Sequence, residues 1–153
     1  MLAEPRYADT AEEDNVRVLV VDDEPDVLLL CRVNLEFAGH EVLEASNGER
    51  GVELAFGERP DVIVLDVMLP QRDGFSVLEE LVGDARTRTT PVILLTAKAQ
   101  DADRLRGWRA GCAEYMTKPF SPSVLADTVD RVAEMSQDEL LRHRAQQVAG
   151  GEA

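Results

Sequence analysis

A run of four apolar residues that ends in an acid constrains this chain more than any other feature. Val62, Ile63, Val64 and Leu65 lead directly into Asp66. Such a run does not alternate, so both faces of the strand it forms must be buried. A strand covered on both sides can offer a side chain to solvent only at its tip. Asp66 is therefore expected at the C-terminal end of a central parallel strand, on the edge where open α/β sheets place their chemistry. Pro70 and Gly74 then mark a loop, and Asp73 suits the N-cap of a following helix.

The rest of the chain repeats this strand-then-helix grammar. Residues 16–21 form a β-branched strand that ends in three acids, Asp22, Asp23 and Glu24. Pro25 fits the first turn of a helix running to about Ala38, with Val27, Leu30, Cys31, Leu35 and Ala38 as its core stripe and Gly39 as its C-cap. Residues 41–45 read as a short strand. Asn47 and Gly48 give a turn signal, and residues 49–56 a short helix closed by Gly57. Phe75, Leu78 and Leu81 supply the apolar face of a third helix that stops near Gly83. A second continuous apolar run, residues 92–95, ends at Thr96. Residues 101–110 read as a weak helix containing Gly107, and residues 114–117 as a last strand followed by Lys118, Pro119 and Phe120. Ser121 as cap, Pro122 in the first turn, and the stripe Leu125, Val129 and Val132 define a fifth helix. Ser136 and Glu139 have capping-box spacing, so a further helix or a continuation reaches to about Gln147, with Gly150 and Gly151 ending it.

Five strands alternating with five helices imply an α/β fold: one parallel sheet covered on both faces through right-handed crossovers. The expected organisation is a disordered acidic leader over residues 1–15, one domain over 16–135, and a helical or disordered tail over 136–153.

Charge narrows the function. Thirty acids against 16 bases give a net charge of −14. Nucleic-acid binders draw their affinity from basic contacts to phosphate, so direct nucleic-acid binding is not expected. Adsorption to an anionic membrane is disfavoured by the same sign, and no apolar run approaches the ~20 residues that span a bilayer. The two cysteines, Cys31 and Cys112, suggest neither a disulfide framework nor a zinc site. A reduced, cytoplasmic setting is expected.

Parallel strands bring their C-terminal ends to one edge. That edge would gather Asp22, Asp23, Asp66, Thr96 and Lys118. Clustered carboxylates in a partly buried site need counter-charge to stay ionised. An all-oxygen donor set points to Mg²⁺ rather than zinc, and Lys118 adds a second positive charge. Carboxylate, metal, hydroxyl and ammonium together make a site for a phosphoryl group, with Asp66 as nucleophile forming an acyl phosphate.

With these pieces in place, the chain resembles the receiver domain of two-component response regulators. The resemblance rests on Val20 through Pro25, Val64 through Pro70, Leu94 through Ala97 and Ala110 through Phe120, four motifs in order and at matching spacing over residues 16–135. It implies a three-layer flavodoxin-like sandwich with sheet order 2-1-3-4-5. It implies Asp66 as phosphoacceptor, Asp22 and Asp23 as the metal-binding pair, and the Met68 backbone carbonyl as a further ligand. Thr96 becomes the switch hydroxyl, Tyr115 the switch aromatic and Lys118 the phosphate-pairing lysine, with a cis bond before Pro119.

The implied function is a phosphorylation switch. A sensor histidine kinase or histidine phosphotransfer protein supplies the phosphoryl group. The surface of the fourth helix, fifth strand and fifth helix then changes its affinity for a downstream effector. No enzyme activity is expected beyond phosphoryl uptake and autodephosphorylation, and a homodimer is compatible. Met68 and Lys98 flank the site and are individual to this chain; bulky Met68 suggests a long-lived phosphoryl group. Glu24 reads as a helix-start acid rather than a ligand, and Trp108 as packing. The 18 residues after Met135 are too few for a DNA-binding or catalytic domain, which leaves a lone receiver or a domain excised from a longer protein. Two rival readings stand beside this one. A haloacid-dehalogenase-type hydrolase would want an acid where Met68 stands. A flavin- or nucleotide-binding module would want a Gly/Ser/Thr-rich loop where Asp22 to Pro25 stands.

Overall fold

A computed structural model describes residues 16–152. The expected disordered leader lies outside the described residues. The chain alternates β1 (Arg17–Val21), α1 (Pro25–Phe37), β2 (Glu41–Ala45), α2 (Gly48–Glu58), β3 (Val62–Leu65), α3 (Gly74–Gly83), β4 (Val92–Thr96), α4 (Asp101–Ala110), β5 (Glu114–Thr117), α5 (Pro122–Glu134) and α6 (Gln137–Glu152). The strands form one parallel sheet in the order β2-β1-β3-β4-β5. Both the class and the strand order are those expected.

The period-two geometry of a strand splits the core into two layers. Leu19, Val21, Ile63, Leu65, Leu94 and Tyr115 face one way, onto α2, α3 and α4. Val18, Val20, Val62, Val64, Ile93 and Leu95 face the other way, onto α1 and α5. β3 and β4 are buried along their whole length, which explains their unbroken apolar runs. Cys31 is fully buried in the α1/α5 layer, and burial pushes its thiol pKa up to about 12, as expected of a packing residue.

Four local expectations need correction. In α1 the expected stripe is buried only at Cys31 and Leu35, while Leu30 and Ala38 are exposed, because the helix covers the sheet with a narrower face. Gly57 does not close α2; the helix passes through it and ends on Arg59, which takes the left-handed conformation at φ 51°. Nothing crowds Gly57, so the helix tolerates it. Ser121 stands at the N-cap position of α5 but caps nothing with its side chain, because its hydroxyl pairs with Ser123 at 3.0 Å. Gly150 and Gly151 do not end the last helix. The described residues hold six helices rather than five, the sixth running through both glycines to Glu152. At Gly151 a Cβ would stand 2.9 Å from Leu105 Cδ1, so glycine there lets α6 lie close against α4.

The start of α6 follows its sequence signature. Ser136 Oγ accepts from the Glu139 amide at 3.1 Å while Glu139 Oε1 accepts from the Ser136 amide at 2.9 Å, a reciprocal capping box. From there α6 crosses the β5 edge of the sheet. Leu140 packs on the α1/α5 layer and Val148 on the α2–α4 layer. The surface of α4, β5 and α5, expected to present itself to a partner, thus carries α6 of the same chain.

Candidate phosphoryl-acceptor site

The C-terminal ends of β1, β3, β4 and β5 carry the site. Asp22 follows β1, and its amide donates to the Ala45 carbonyl at 3.0 Å. Asp66 follows β3, and its amide donates to the Val21 carbonyl at 3.0 Å, which fixes the two acids side by side. Asp22 and Asp66 are almost wholly buried, at 2% and 3% exposure, whereas Asp23 is exposed. One carboxylate oxygen from each of the three lies within 4.8 Å of the others.

Lys118, beyond β5, closes this cluster. Its Nζ stands 2.8 Å from Asp22 Oδ2, 2.9 Å from Asp66 Oδ2 and 2.8 Å from Glu24 Oε1. Burial opposes the charge on this ammonium, but the hydrogen bonds to Asp22, Glu24 and Asp66 outweigh it and hold the lysine pKa above its ordinary value. Burial raises the Asp22 carboxyl pKa, with Lys118 and the Glu24 amide pulling against it. The Glu24 amide donates to Asp22 Oδ1 at 2.9 Å, and the Met68 amide to Asp66 Oδ1 at 2.9 Å. Each buried acid is thus clamped by its own following turn and by Lys118. The Lys118–Pro119 peptide is cis.

Glu24 is the residue that sequence reasoning undervalued. It occupies the N-cap of α1 without a side-chain cap bond and reaches Lys118 instead. The signal available was the third acid of a consecutive triplet, a pattern that helix-dipole arguments explain equally well.

The loop after β3 is held by a close backbone approach. The Gly74 amide donates to the Val67 carbonyl at 2.7 Å. A Cβ at Gly74 would come within 2.2 Å of the Asp66 carbonyl oxygen. Asp73 caps α3 by accepting from the Ser76 amide at 3.0 Å, as its sequence position predicts. Met68 and Lys98 stand with Asp23 on the wall of an open hollow of about 520 Å³ beside the acids.

Thr96 and Tyr115 form a second tier behind the acids. Thr96 is fully buried, and its Oγ1 accepts from the Lys98 amide at 3.3 Å. Tyr115 is also buried, its hydroxyl donating to the Lys98 carbonyl at 2.8 Å. Burial raises the phenol pKa to about 12. The ring lies against α4, where a Cβ at Gly107 would sit 2.8 Å from Tyr115 Cδ2. Both residues therefore meet the same short segment, the turn after β4 at Lys98. The structure joins Asp22, Asp23, Asp66 and Lys118 directly and links Thr96 to Tyr115 through Lys98.

A doubly covered parallel sheet with a buried acid pair, a further acid and a lysine at its C-terminal edge is the arrangement that the resemblance to receiver domains implies. Residues 18–130 match the family model for the response regulator receiver domain, and the chain belongs to that family. It is a phosphorylation-dependent signalling switch. Protein PilH of Pseudomonas aeruginosa is 41% identical over 116 residues, covering 76% of this chain and 96% of PilH. The alkaline phosphatase synthesis transcriptional regulatory protein PhoP of Bacillus subtilis is 42% identical over 123 residues, covering 80% of this chain but 50% of PhoP. The DNA-binding dual master transcriptional regulator RpaA of Synechocystis is 45% identical over 68% of this chain, which spans 43% of RpaA. The chain thus spans nearly all of one such relative and half or less of the other two. Among solved structures, a response regulator from Chloroflexus aurantiacus superposes with a TM-score of 0.75 at 30% identity, over 79% of this chain and 99% of that one. The chemotaxis response regulator CheY4 of Vibrio cholerae gives 0.72 at 31% identity, over 76% and 98%.

Proposed function

We propose that Asp66 accepts a phosphoryl group from a phosphohistidine of a sensor histidine kinase or histidine phosphotransfer protein in the cytoplasm, and that Thr96, Tyr115 and Lys118 convert the event into altered binding of a downstream effector. The single observation that carries this reading is the Lys118 ammonium bridging the buried Asp22 and Asp66 carboxylates beside Asp23. Three acids, Asp22, Asp66 and Glu24, contact one ammonium and Asp23 stands beside Asp22 and Asp66, so the hollow retains surplus negative charge and an all-oxygen donor set. That set suits Mg²⁺, with Asp22, Asp23, Asp66 and the Met68 carbonyl as the residues that would hold it. Bound there, the ion supplies neutralising charge for the transferring phosphoryl oxygens.

The chain's own residues perform the rest. The Met68 amide and Lys118 hold Asp66 in one orientation, so its oxygen attacks phosphorus as the P–N bond of the donor breaks. Lys118 keeps Asp22 and releases Glu24, which is solvent-exposed and easily surrendered, to meet the new phosphate. The Thr96 hydroxyl leaves the Lys98 amide and donates to a phosphoryl oxygen. Tyr115 responds because it is hydrogen-bonded to the same turn. No helix among the described residues is long and apolar enough to cross a membrane.

Acid-stable mass measurement or labelling with a small phosphodonor and Mg²⁺ tests the assignment. Wild type should gain one phosphoryl group, and Asp66→Asn should gain none while keeping its circular dichroism. Undiminished labelling of Asp66→Asn would remove Asp66 from the role.

A further inference from the structure

We propose that α6 is an internal ligand of the switch, docking on the α4–β5–α5 surface in the state with Tyr115 turned inward, so that docking of α6 and filling of the Asp66 site favour each other. This rests on the phosphoacceptor reading above and names the segment that reads the switch. Three observations carry it.

The first is where α6 lies. His143 meets the Trp108 ring edge-on at 5.3 Å between centroids. Its Nε2 is screened from solvent, lies 3.4 Å from Glu114 Oε2 on β5 and makes no hydrogen bond. Glu114 in turn pairs with Arg131 of α5 at 2.6 Å. One helix thus touches α4, β5 and, through Glu114, α5. The second is how lightly α6 is held. Leu140, His143, Arg144 and Val148 are half-buried, and no described side chain of α6 is fully buried. Such an element detaches at a small fraction of the free energy that unfolds the domain.

The third observation is the coupling path. α4 is a plate with two occupied sides. On one side Gly107 lies against the Tyr115 ring and Leu94. On the other side Leu105 and Trp108 receive Gly151 and His143 of α6. A cavity of about 460 Å³ separates Tyr115 and Arg104 from Gln147, Gly150 and Gly151. Tyr115 itself lines this cavity, together with Leu105 and Trp108 of α4. A ring swung outward gives up its contact with Gly107, and with it the placement of α4 that α6 recognises. Both events act on one two-state element, so each must shift the other by the same factor.

A reversible lock tests this. An ideal Cβ at Gly151 stands 3.8 Å from Leu105 Cβ, the separation a disulfide requires. Both native cysteines are buried and free. In Leu105→Cys/Gly151→Cys, oxidation should pin α6 to α4, and calorimetry with beryllofluoride and Mg²⁺ should give about fivefold tighter binding than the reduced form. Wild type should show no effect of reductant. Hydrogen exchange of α6 amides in wild type should slow when beryllofluoride binds. Equal or weaker beryllofluoride binding by the oxidised form overturns the proposal. Should the double variant not fold, Val148→Asp loosens α6 instead; it should bind beryllofluoride several-fold more weakly, and unchanged affinity overturns the proposal equally. Wild type that fails to bind beryllofluoride at all overturns the phosphoacceptor reading and this inference with it, whereas binding without any lock effect overturns this inference alone.

Discussion

Lys118 is the residue on which the acid cluster depends. Removing it leaves Asp22 and Asp66, both buried, facing each other without counter-charge. Breaking a buried charge pair from one side costs about 3–5 kcal/mol. Lys118→Ala should therefore lose roughly 3 kcal/mol of stability at pH 7 in urea denaturation. The loss should shrink as pH falls through the carboxylate range, because protonation removes the stranded charge. Mg²⁺ should raise the melting temperature of Lys118→Ala more than that of wild type. Tyr115 makes a prediction at the alkaline end. Its folded pKa, about 12, lies above the ordinary phenol value of 10.0. The folded state binds this proton more tightly than the unfolded chain, so the contribution is complete below pH 10 and fades as pH rises toward 12. Tyr115→Phe should flatten the fall in melting temperature across that window; an unchanged slope would show that the phenol is not held as described. The gathering of Asp66, the acid pair and the lysine was legible in the sequence because each terminates an apolar run or follows a strand. The partner of Glu24 was not legible, since only the fold brings residues 24 and 118 together.

The elements show why local signals succeed or fail. Asp73 caps α3, as its sequence position suggests, and Asn47, legible only as half of a turn signal, caps α2 by accepting from the Arg50 amide at 2.8 Å. Caps depend on neighbours a few positions away, so sequence can mark them, although Ser121 shows that a local competitor such as Ser123 can take the hydroxyl. Glycine is different, because its meaning depends on what stands opposite in space. Gly57 and Gly74 look alike in the sequence. Gly57 has open surroundings, so Gly57→Ala should stabilise α2 by roughly 0.5–1 kcal/mol. Gly74 faces the Asp66 carbonyl and the Val67 backbone, which cannot step aside. Gly74→Ala should cost at least ~3 kcal/mol, at the upper end of overpacking, and should abolish phosphoryl labelling by displacing Asp66. Denaturation curves of the two variants, side by side, check both signs. Gly150 and Gly151 misled for the same reason: Gly151 marks the approach of α6 to Leu105, Gly150 has open surroundings, and the helix runs through both.

At the scale of the whole molecule, strand alternation and apolar runs made the layered architecture legible, and the strand order came from family resemblance. What sequence could not show is the destination of α6. Leu140, Leu141 and Val148 offer too sparse a stripe to reveal which surface they meet, and Leu141 in fact stays half in solvent. The sheet itself has one more consequence. Since adjacent residues of every strand point into different layers, the five backbones form a bulkhead between two compartments. Volume changes in the α1/α5 compartment, such as Leu35→Ala, should lower stability by about 2–5 kcal/mol yet leave beryllofluoride affinity within twofold. Those in the compartment holding Leu94 and Tyr115 should alter both. The chain can therefore drift in what it docks against along α1 without retuning the chemistry and relay on the opposite side of the wall.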